Sequence, residues 1–139
     1  MKNILLIGCG HMGGSLMLGW SNSKNYTISV IDRKKYAILK KRNRNKKIKF
    51  FKSIKDINNQ NNFDFIIFAT RPLELKNVFK ELKNVNFNKN SIAISVIAGK
   101  KTEIFKNNLL NINKIVRVMP NMPALIGEGV HCIYTNKSI

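Results

Sequence analysis

Acidic residues are scarce in this chain of 139 residues. Seven Asp plus Glu stand against 25 Lys plus Arg, so the formal net charge is +18. Only two cysteines occur, Cys9 and Cys132, far apart and in no paired motif. That number excludes a disulfide framework and a cysteine-based zinc site, and it favours a reducing compartment. The two histidines, His11 and His131, are too few and too dispersed for a metal centre, so we expect none.

Long apolar runs are also missing. No run approaches the roughly 18 residues that cross a bilayer. The apolar run before Gly8 has four residues, fewer than a signal-peptide core needs. With 44% apolar residues, the chain suits one globular domain spanning residues 1–139. We therefore expect a cytoplasmic protein that does not enter the membrane.

The positive charge has two interpretations. Residues 33–49 hold ten of the 25 basic residues, and clustered Lys and Arg can bind phosphate backbones. The excess, however, is Lys accompanied by Asn and Ile, the residues that AT-rich codons supply. No zinc-finger spacing or RNA-binding aromatic motif is present. Specific nucleic-acid recognition is therefore not expected, although a polyanion-binding module remains an alternative.

Apolar runs alternate with amphipathic stretches along the chain. Strands are predicted at residues 3–7, 26–31, 48–51, 63–69, 91–97, 114–119 and 129–134. Helices are predicted between them, with Ile38 facing inward in the second and Pro72 opening the third, where Leu73 joins the buried face. Such alternation is typical of βαβ crossovers, so the pattern predicts a Rossmann-type, doubly wound α/β fold with a mostly parallel sheet.

A glycine motif follows the first predicted strand and opens the first predicted helix. Its residues match G-x-G-x-x-G: Gly8, Cys9, Gly10, His11, Met12 and Gly13. In a dinucleotide-binding loop, the first glycine allows the tight turn, the second admits the pyrophosphate, and the third lets the helix pack closely. The helix N-terminus favours the anion. His11 either contacts the pyrophosphate or bonds locally. Cys9, beside a helix N-terminus that would lower its pKa, is better explained as a small filler.

The end of the second predicted strand bears on the choice between NAD and NADP. Asp32 lies 19 residues after Gly13, near the position of the acid that binds the ribose of NAD. The neighbouring Arg33 would instead hold the 2′-phosphate of NADP. Asp32 inclines the expectation slightly toward NAD, and a turn-capping carboxylate is its structural alternative.

In four blocks the sequence resembles the pyrroline-5-carboxylate reductase family. These are IGCGHMGGSL (residues 7–16), FATRP (68–72), SVIAG (95–99) and RVMPNMPALIGEG (117–129). They keep the family's order and span nearly the whole chain, and the fourth is the most specific. Departures from the family pattern include His11 for the common Asn and Arg71 for Lys. A β-hydroxyacid-dehydrogenase-type reductase fits the first block almost as well but the fourth poorly.

The resemblance implies a reaction and further cofactor contacts. The reaction is hydride transfer from NAD(P)H to the C=N bond of 1-pyrroline-5-carboxylate, an imino acid, giving L-proline. No residue here is assigned a catalytic role. Asn121 would lie near the nicotinamide, or serve only as a turn residue. The other implied cofactor contacts follow two strands: Ala69, Thr70, Arg71, Pro72, Val96, Ile97, Ala98 and Gly99.

Members of this family are about twice as long. Their second half is a helical domain that forms the homo-oligomer and carries a substrate site, including an S-P-G-G-T-type segment that does not occur here. We therefore expect the cofactor-binding half of a two-domain enzyme, truncated before that domain and able to bind dinucleotide with little turnover alone. A dinucleotide-binding module without catalysis is the non-enzymatic alternative.

Overall fold

The structure is a computed structural model that describes residues 1–57, 62–121 and 129–135. Strands and helices alternate along these residues. The strands are β1 (Lys2–Ile7), β2 (Tyr26–Ile31), β3 (Ile48–Phe51), β4 (Phe65–Phe68), β5 (Ile92–Ser95), β6 (Lys114–Pro120) and β7 (His131–Thr135). The α-helices are α1 (His11–Ser21), α2 (Tyr36–Arg42), α3 (Leu75–Leu82) and α4 (Thr102–Asn108), with a 3₁₀ helix at Ile54–Asp56.

All seven strands form one sheet in the order β3-β2-β1-β4-β5-β6-β7. Neighbours are parallel except β7, which pairs antiparallel with β6. The chain leaves β1 toward β2 and β3 on one side and returns with β4 on the other, so the winding direction reverses between β1 and β4. This is the arrangement of a doubly wound dinucleotide-binding fold, and it confirms the predicted fold class.

Strand register brings three strand ends to one place. Ile7 pairs with Ile31 of β2 on one side and with Phe68 of β4 on the other. The residues that follow these strands therefore lie side by side at the carboxyl edge of the sheet. Ligands of open α/β sheets bind in the crevice outside this edge, where the winding reverses.

Both faces of the central strands are buried. In β1, Leu5 and Ile7 belong to one apolar cluster, and Ile4 and Leu6 belong to the other. The first cluster packs α3 and α4 on the sheet, and the second packs α1 and α2. This double burial explains why β1 is a continuous apolar run rather than an alternating one.

Three phenylalanines anchor the first cluster. Phe105 of α4 packs edge-on against Phe68 of β4, with ring centroids 5.0 Å apart, and against Phe79 of α3 at 5.5 Å. Phe68 and Phe79 complete the group at 6.0 Å. The sheet and two helices therefore meet at one cluster of three rings, and the two contacts of Phe105 have the edge-on geometry that aromatic quadrupoles favour.

Two helix predictions are wrong in detail. Ile38, predicted to face inward, is 56% exposed, because Leu39 takes the sheet-facing position of the short helix α2. Helix α3 begins at Leu75 rather than at Pro72, and Leu73 is 92% exposed. The intervening residues form a turn in which the Glu74 N–H donates to the Arg71 carbonyl at 3.0 Å.

Among the described residues, no helix combines the length and apolarity that a membrane crossing requires.

Phe105→Ala is expected to lower the free energy of unfolding by about 3–5 kcal/mol, because the cavity would open between the sheet and two helices. Leu110→Ala is the matched control, since Leu110 is 85% exposed. Its expected effect is within about 0.5 kcal/mol. Denaturant titration followed by circular dichroism measures both, and equal effects of the two substitutions would contradict the packing described.

Candidate dinucleotide-binding site

A cleft of about 490 Å³ opens at the carboxyl edge of the sheet, between the ends of β1, β2 and β4 and the helix α3. This volume lies within the range of small-molecule and cofactor sites. Residues from separate parts of the sequence meet there. The predicted site residues that line it are Gly8, Gly10, His11, Met12, Asp32, Arg33, Ala69, Thr70 and Arg71.

Packing requires two of the three motif glycines. Gly8 has φ +95°, and a Cβ there would lie 2.7 Å from the Ala69 carbonyl oxygen. A Cβ on Gly13 would lie 2.2 Å from the Gly8 carbonyl oxygen. Helix α1 therefore packs against the end of β1 at a distance that any side chain at these two positions would prevent.

Gly10 differs, because the protein itself does not require a glycine there. Its φ is −71°, and a Cβ would meet no atom within 4 Å. It is the N-cap of α1, no side chain caps the helix, and its first turn carries no acidic residue. Backbone N–H groups at such a helix end favour an anion. The space at Gly10 therefore suits a ligand group approaching the backbone.

Asp32 joins two loops through its carboxylate. One oxygen accepts a hydrogen bond from the Cys9 backbone N–H at 2.8 Å. The other accepts from the backbone N–H groups of Lys34 at 3.0 Å and Lys35 at 2.8 Å. These contacts agree with the turn-capping interpretation of Asp32, and they extend it, because the same side chain also positions the glycine loop.

Cys9 lies in the motif, but its side chain does not face the cleft. It is 2% exposed and belongs to the apolar cluster under α1. Burial raises the pKa of the thiol, the Asp32 carboxylate raises it further, and Lys35 partly opposes both. The lowered pKa considered from the sequence is therefore wrong, and the thiol is a buried filler. Gly13 is likewise buried behind the loop.

Thr70 lines the cleft, and its side-chain hydroxyl makes no hydrogen bond within the described residues. Its hydroxyl oxygen is buried. Buried hydroxyls are usually paired. Its position beside Ala69, whose N–H donates to the Ile7 carbonyl, holds it firmly at the end of β4.

The other residues implied by the family resemblance lie outside this cleft. Ile97 is buried in the first cluster, Val96 is half-buried, and Ala98 and Gly99 are exposed in the turn after β5. Pro72 lines a separate lysine-rich cleft between α3 and α4.

Asn121 is exposed after β6, and its side-chain oxygen accepts a hydrogen bond from the Val130 backbone N–H at 3.0 Å. That contact agrees with the turn-residue alternative. Residues 122–128 of the fourth family block lie outside the described residues.

Several cleft residues were missed in the sequence. On α3 and the turn before it, Glu74, Asn77, Val78 and Glu81 recur at helical spacing, which was the available signal. Glu81 forms an ion pair with Arg33, and Glu74 forms one with Lys34 at 3.3 Å. The remaining lining residues are Ile7, Ile31, Lys34, Lys35, Lys52 and Ile54.

Gly13→Ala and Gly10→Ala are expected to act differently. Gly13→Ala should lower the free energy of unfolding by about 2–3 kcal/mol or more, because its Cβ meets backbone rather than a mobile side chain. Gly10→Ala should cost less than about 1 kcal/mol and should act on dinucleotide affinity instead. Denaturant titration with a parallel NADPH titration separates the two, and a Gly10→Ala protein as unstable as Gly13→Ala would contradict this.

The chain is similar in sequence to a known family and to curated reductases. A family model described as "NADP oxidoreductase coenzyme F420-dependent" matches residues 3–99. The pyrroline-5-carboxylate reductase of Haemophilus influenzae is 30% identical over 99% of this chain and 49% of its own length. The reductase of Aquifex aeolicus is 29% identical over 96% of this chain and 48% of its own length.

Solved structures agree with these sequence relatives. The pyrroline-5-carboxylate reductase of Coxiella burnetii superposes with a TM-score of 0.79 and 25% identity, covering 99% of this chain and 51% of that one. A pyrroline carboxylate reductase of Plasmodium falciparum with NADP bound shares the fold, with a TM-score of 0.73 and 24% identity, covering 100% and 49%.

The chain thus spans about half the length of the curated relatives it matches. The resemblance drawn from the four sequence blocks is confirmed, since these relatives are pyrroline-5-carboxylate reductases. The chain belongs to the family described as NADP oxidoreductase, coenzyme F420-dependent, and over nearly its whole length it is similar to half of a pyrroline-5-carboxylate reductase.

Proposed function

We propose that the cleft binds NADP(H) and that the protein reduces 1-pyrroline-5-carboxylate to L-proline, with residues 1–139 acting as its dinucleotide-binding domain. The observation that carries the first part is the conformation at Gly10. The fold does not need a glycine there, yet the position is open, lies at an uncapped helix N-terminus and lines the cleft. A pyrophosphate beside Gly10 would account for all three features.

Two further features support a dinucleotide. The buried hydroxyl of Thr70 lacks a partner among the described residues and lies in the cleft wall, where a polar ligand atom would satisfy it. The apolar side chains of Ile7, Ile31 and Ile54 line the same cleft and suit the flat face of a base.

The charges near Asp32 support NADP over NAD. The Asp32 carboxylate accepts hydrogen bonds from three backbone N–H groups, so it already has a structural role in holding the two loops. Five cationic residues line the cleft: Arg33, Lys34, Lys35 and Lys52 on the side of Asp32, and Arg71 after β4. A 2′-phosphate would gain charge-assisted hydrogen bonds from such groups, whereas the ribose hydroxyls of NAD would find only one of about four acceptor sites on Asp32 unused.

The nicotinamide supplies the hydride when bound, and the protein supplies binding, orientation and electrostatics. In this chain the α1 N-terminus would hold the pyrophosphate and the β2 end would hold the adenosine. The β4 end with Thr70 lies on the other side of β1, so it would position the part of the cofactor beyond the pyrophosphate. The imine substrate and any homo-oligomer depend on the whole protein. The similarity to pyrroline-5-carboxylate reductases supports this choice of substrate.

Arg33→Gln is expected to weaken NADPH binding about tenfold and to leave NADH binding within about twofold, because only NADPH carries the phosphate that Arg33 would contact. Lys46→Gln is the matched control, since it removes the same charge at an exposed position outside the cleft. Nicotinamide fluorescence titration measures both affinities. If the wild-type chain binds neither dinucleotide while folded, the proposed cofactor site is wrong.

A chimera tests whether this chain can serve as the cofactor-binding half of a pyrroline-5-carboxylate reductase. This chain would replace the matching half of the Aquifex aeolicus reductase and be joined to the half that it does not match. We expect NADPH oxidation that depends on 1-pyrroline-5-carboxylate and forms proline, and we expect Gly10→Asp to abolish it. A folded chimera that binds NADPH but forms no proline would contradict the proposed role of this chain in that reaction.

A further inference from the structure

The placement of the acidic residues is informative because the chain has so few. Of seven Asp plus Glu in the sequence, three line the dinucleotide cleft: Asp32, Glu74 and Glu81. A cleft that is to hold a phosphorylated ligand gains nothing in affinity from carboxylates in its wall, since like charges repel. In a chain of net charge +18, these acids therefore need an explanation of their own.

The acidic and the basic residues of helix α3 and of the turn before it line two different clefts. Glu74 and Glu81 line the dinucleotide cleft together with the neutral Asn77. Lys76, Lys80 and Lys83 line the separate cleft between α3 and α4. A compositional excess of lysine does not produce this sorting, because it would place lysines on both sides.

The two glutamates pair with the two cations that follow Asp32. Glu81 contacts the Arg33 guanidinium, and its side chain is only 23% exposed. Glu74 contacts the Lys34 ammonium at 3.3 Å from a more exposed position. Both pairs cross the cleft from the β2 end to α3, and they join residues 48 and 40 positions apart in the sequence.

We propose that Glu81 is a specificity-determining residue that competes with the 2′-phosphate of NADP for Arg33. This inference rests on the proposed function of the cleft. Without ligand, Glu81 satisfies the guanidinium and holds it at the cleft wall. The 2′-phosphate of NADP must compete with that carboxylate for the guanidinium, whereas NAD has no phosphate and meets no such competition.

Glu81 therefore limits how strongly the cleft prefers NADP. It removes part of the attraction that Arg33 offers and adds a repulsion toward the phosphate, and both effects act on NADP alone. Glu74 acts in the same direction on Lys34, but more weakly, because its longer and more exposed ion pair is better screened by solvent.

Glu81→Gln tests this directly. The amide keeps the size of the side chain and removes its charge. NADPH is expected to bind about five- to tenfold more tightly and NADH within about twofold of wild type, as measured by nicotinamide fluorescence at fixed salt. Glu103→Gln is the matched control, because it changes net charge equally from an exposed position on α4 outside the cleft.

A double variant separates competition for Arg33 from simple repulsion. If Glu81 acts mainly by occupying Arg33, then Glu81→Gln should have at most about a twofold effect on NADPH binding in the Arg33→Gln background. A full effect in that background would overturn the exchange mechanism.

The remaining outcomes are distinct. Equal NADPH affinities for the Glu81→Gln and Glu103→Gln proteins, with both dinucleotides bound by wild type, would overturn the inference and leave the proposed function standing. No binding of either dinucleotide by any folded variant would overturn both. Circular dichroism and the unfolding midpoint establish that each variant is folded.

Discussion

The close approach of α1 to the end of β1 is the constraint on which the cleft depends. The Gly13 backbone lies beneath the Gly8 carbonyl at a distance that leaves no room for a Cβ, and Gly8 turns the chain with a positive φ beside the Ala69 carbonyl. Together these contacts direct the N-terminus of α1 at the carboxyl edge of the sheet.

Electrostatics complete what the steric constraint begins. The Asp32 carboxylate accepts hydrogen bonds from the backbone of the glycine loop and of its own turn. One partly buried carboxylate therefore joins the ends of β1 and β2. Cationic residues line the cleft around Asp32, and Glu74 and Glu81 form ion pairs with two of them. The cleft therefore holds both signs of charge, although the chain has a net charge of +18. Two of its cations, Arg33 and Lys34, are in ion pairs.

Local patterns identified most elements because the sheet is buried on both faces. Residues 4–7 and 65–69 are continuous apolar runs, which is what a strand covered by helices on each side requires, and residues 26–31 are rich in β-branched residues. Prediction was weaker at short amphipathic helices. Ile38 and Leu39 are adjacent apolar residues, and only the packing of α2 decides that Leu39 contacts the apolar cluster while Ile38 is exposed. Pro72 is compatible with a first helical turn, but here the turn from Arg71 to Glu74 delays the helix by three residues.

The sequence by itself determined the glycine loop, the alternation of strands and helices, and hence the edge of the sheet where ligands of such folds bind, because each of these is visible as residue types at short spacings in the chain. Only the tertiary structure decided how Asp32, Cys9 and Glu81 are used. Asp32 is within hydrogen-bond distance of a backbone amide 23 residues away, and Arg33 meets Glu81 across 48 residues. Such partners are set by strand order and helix packing, and no local pattern of residues carries that information.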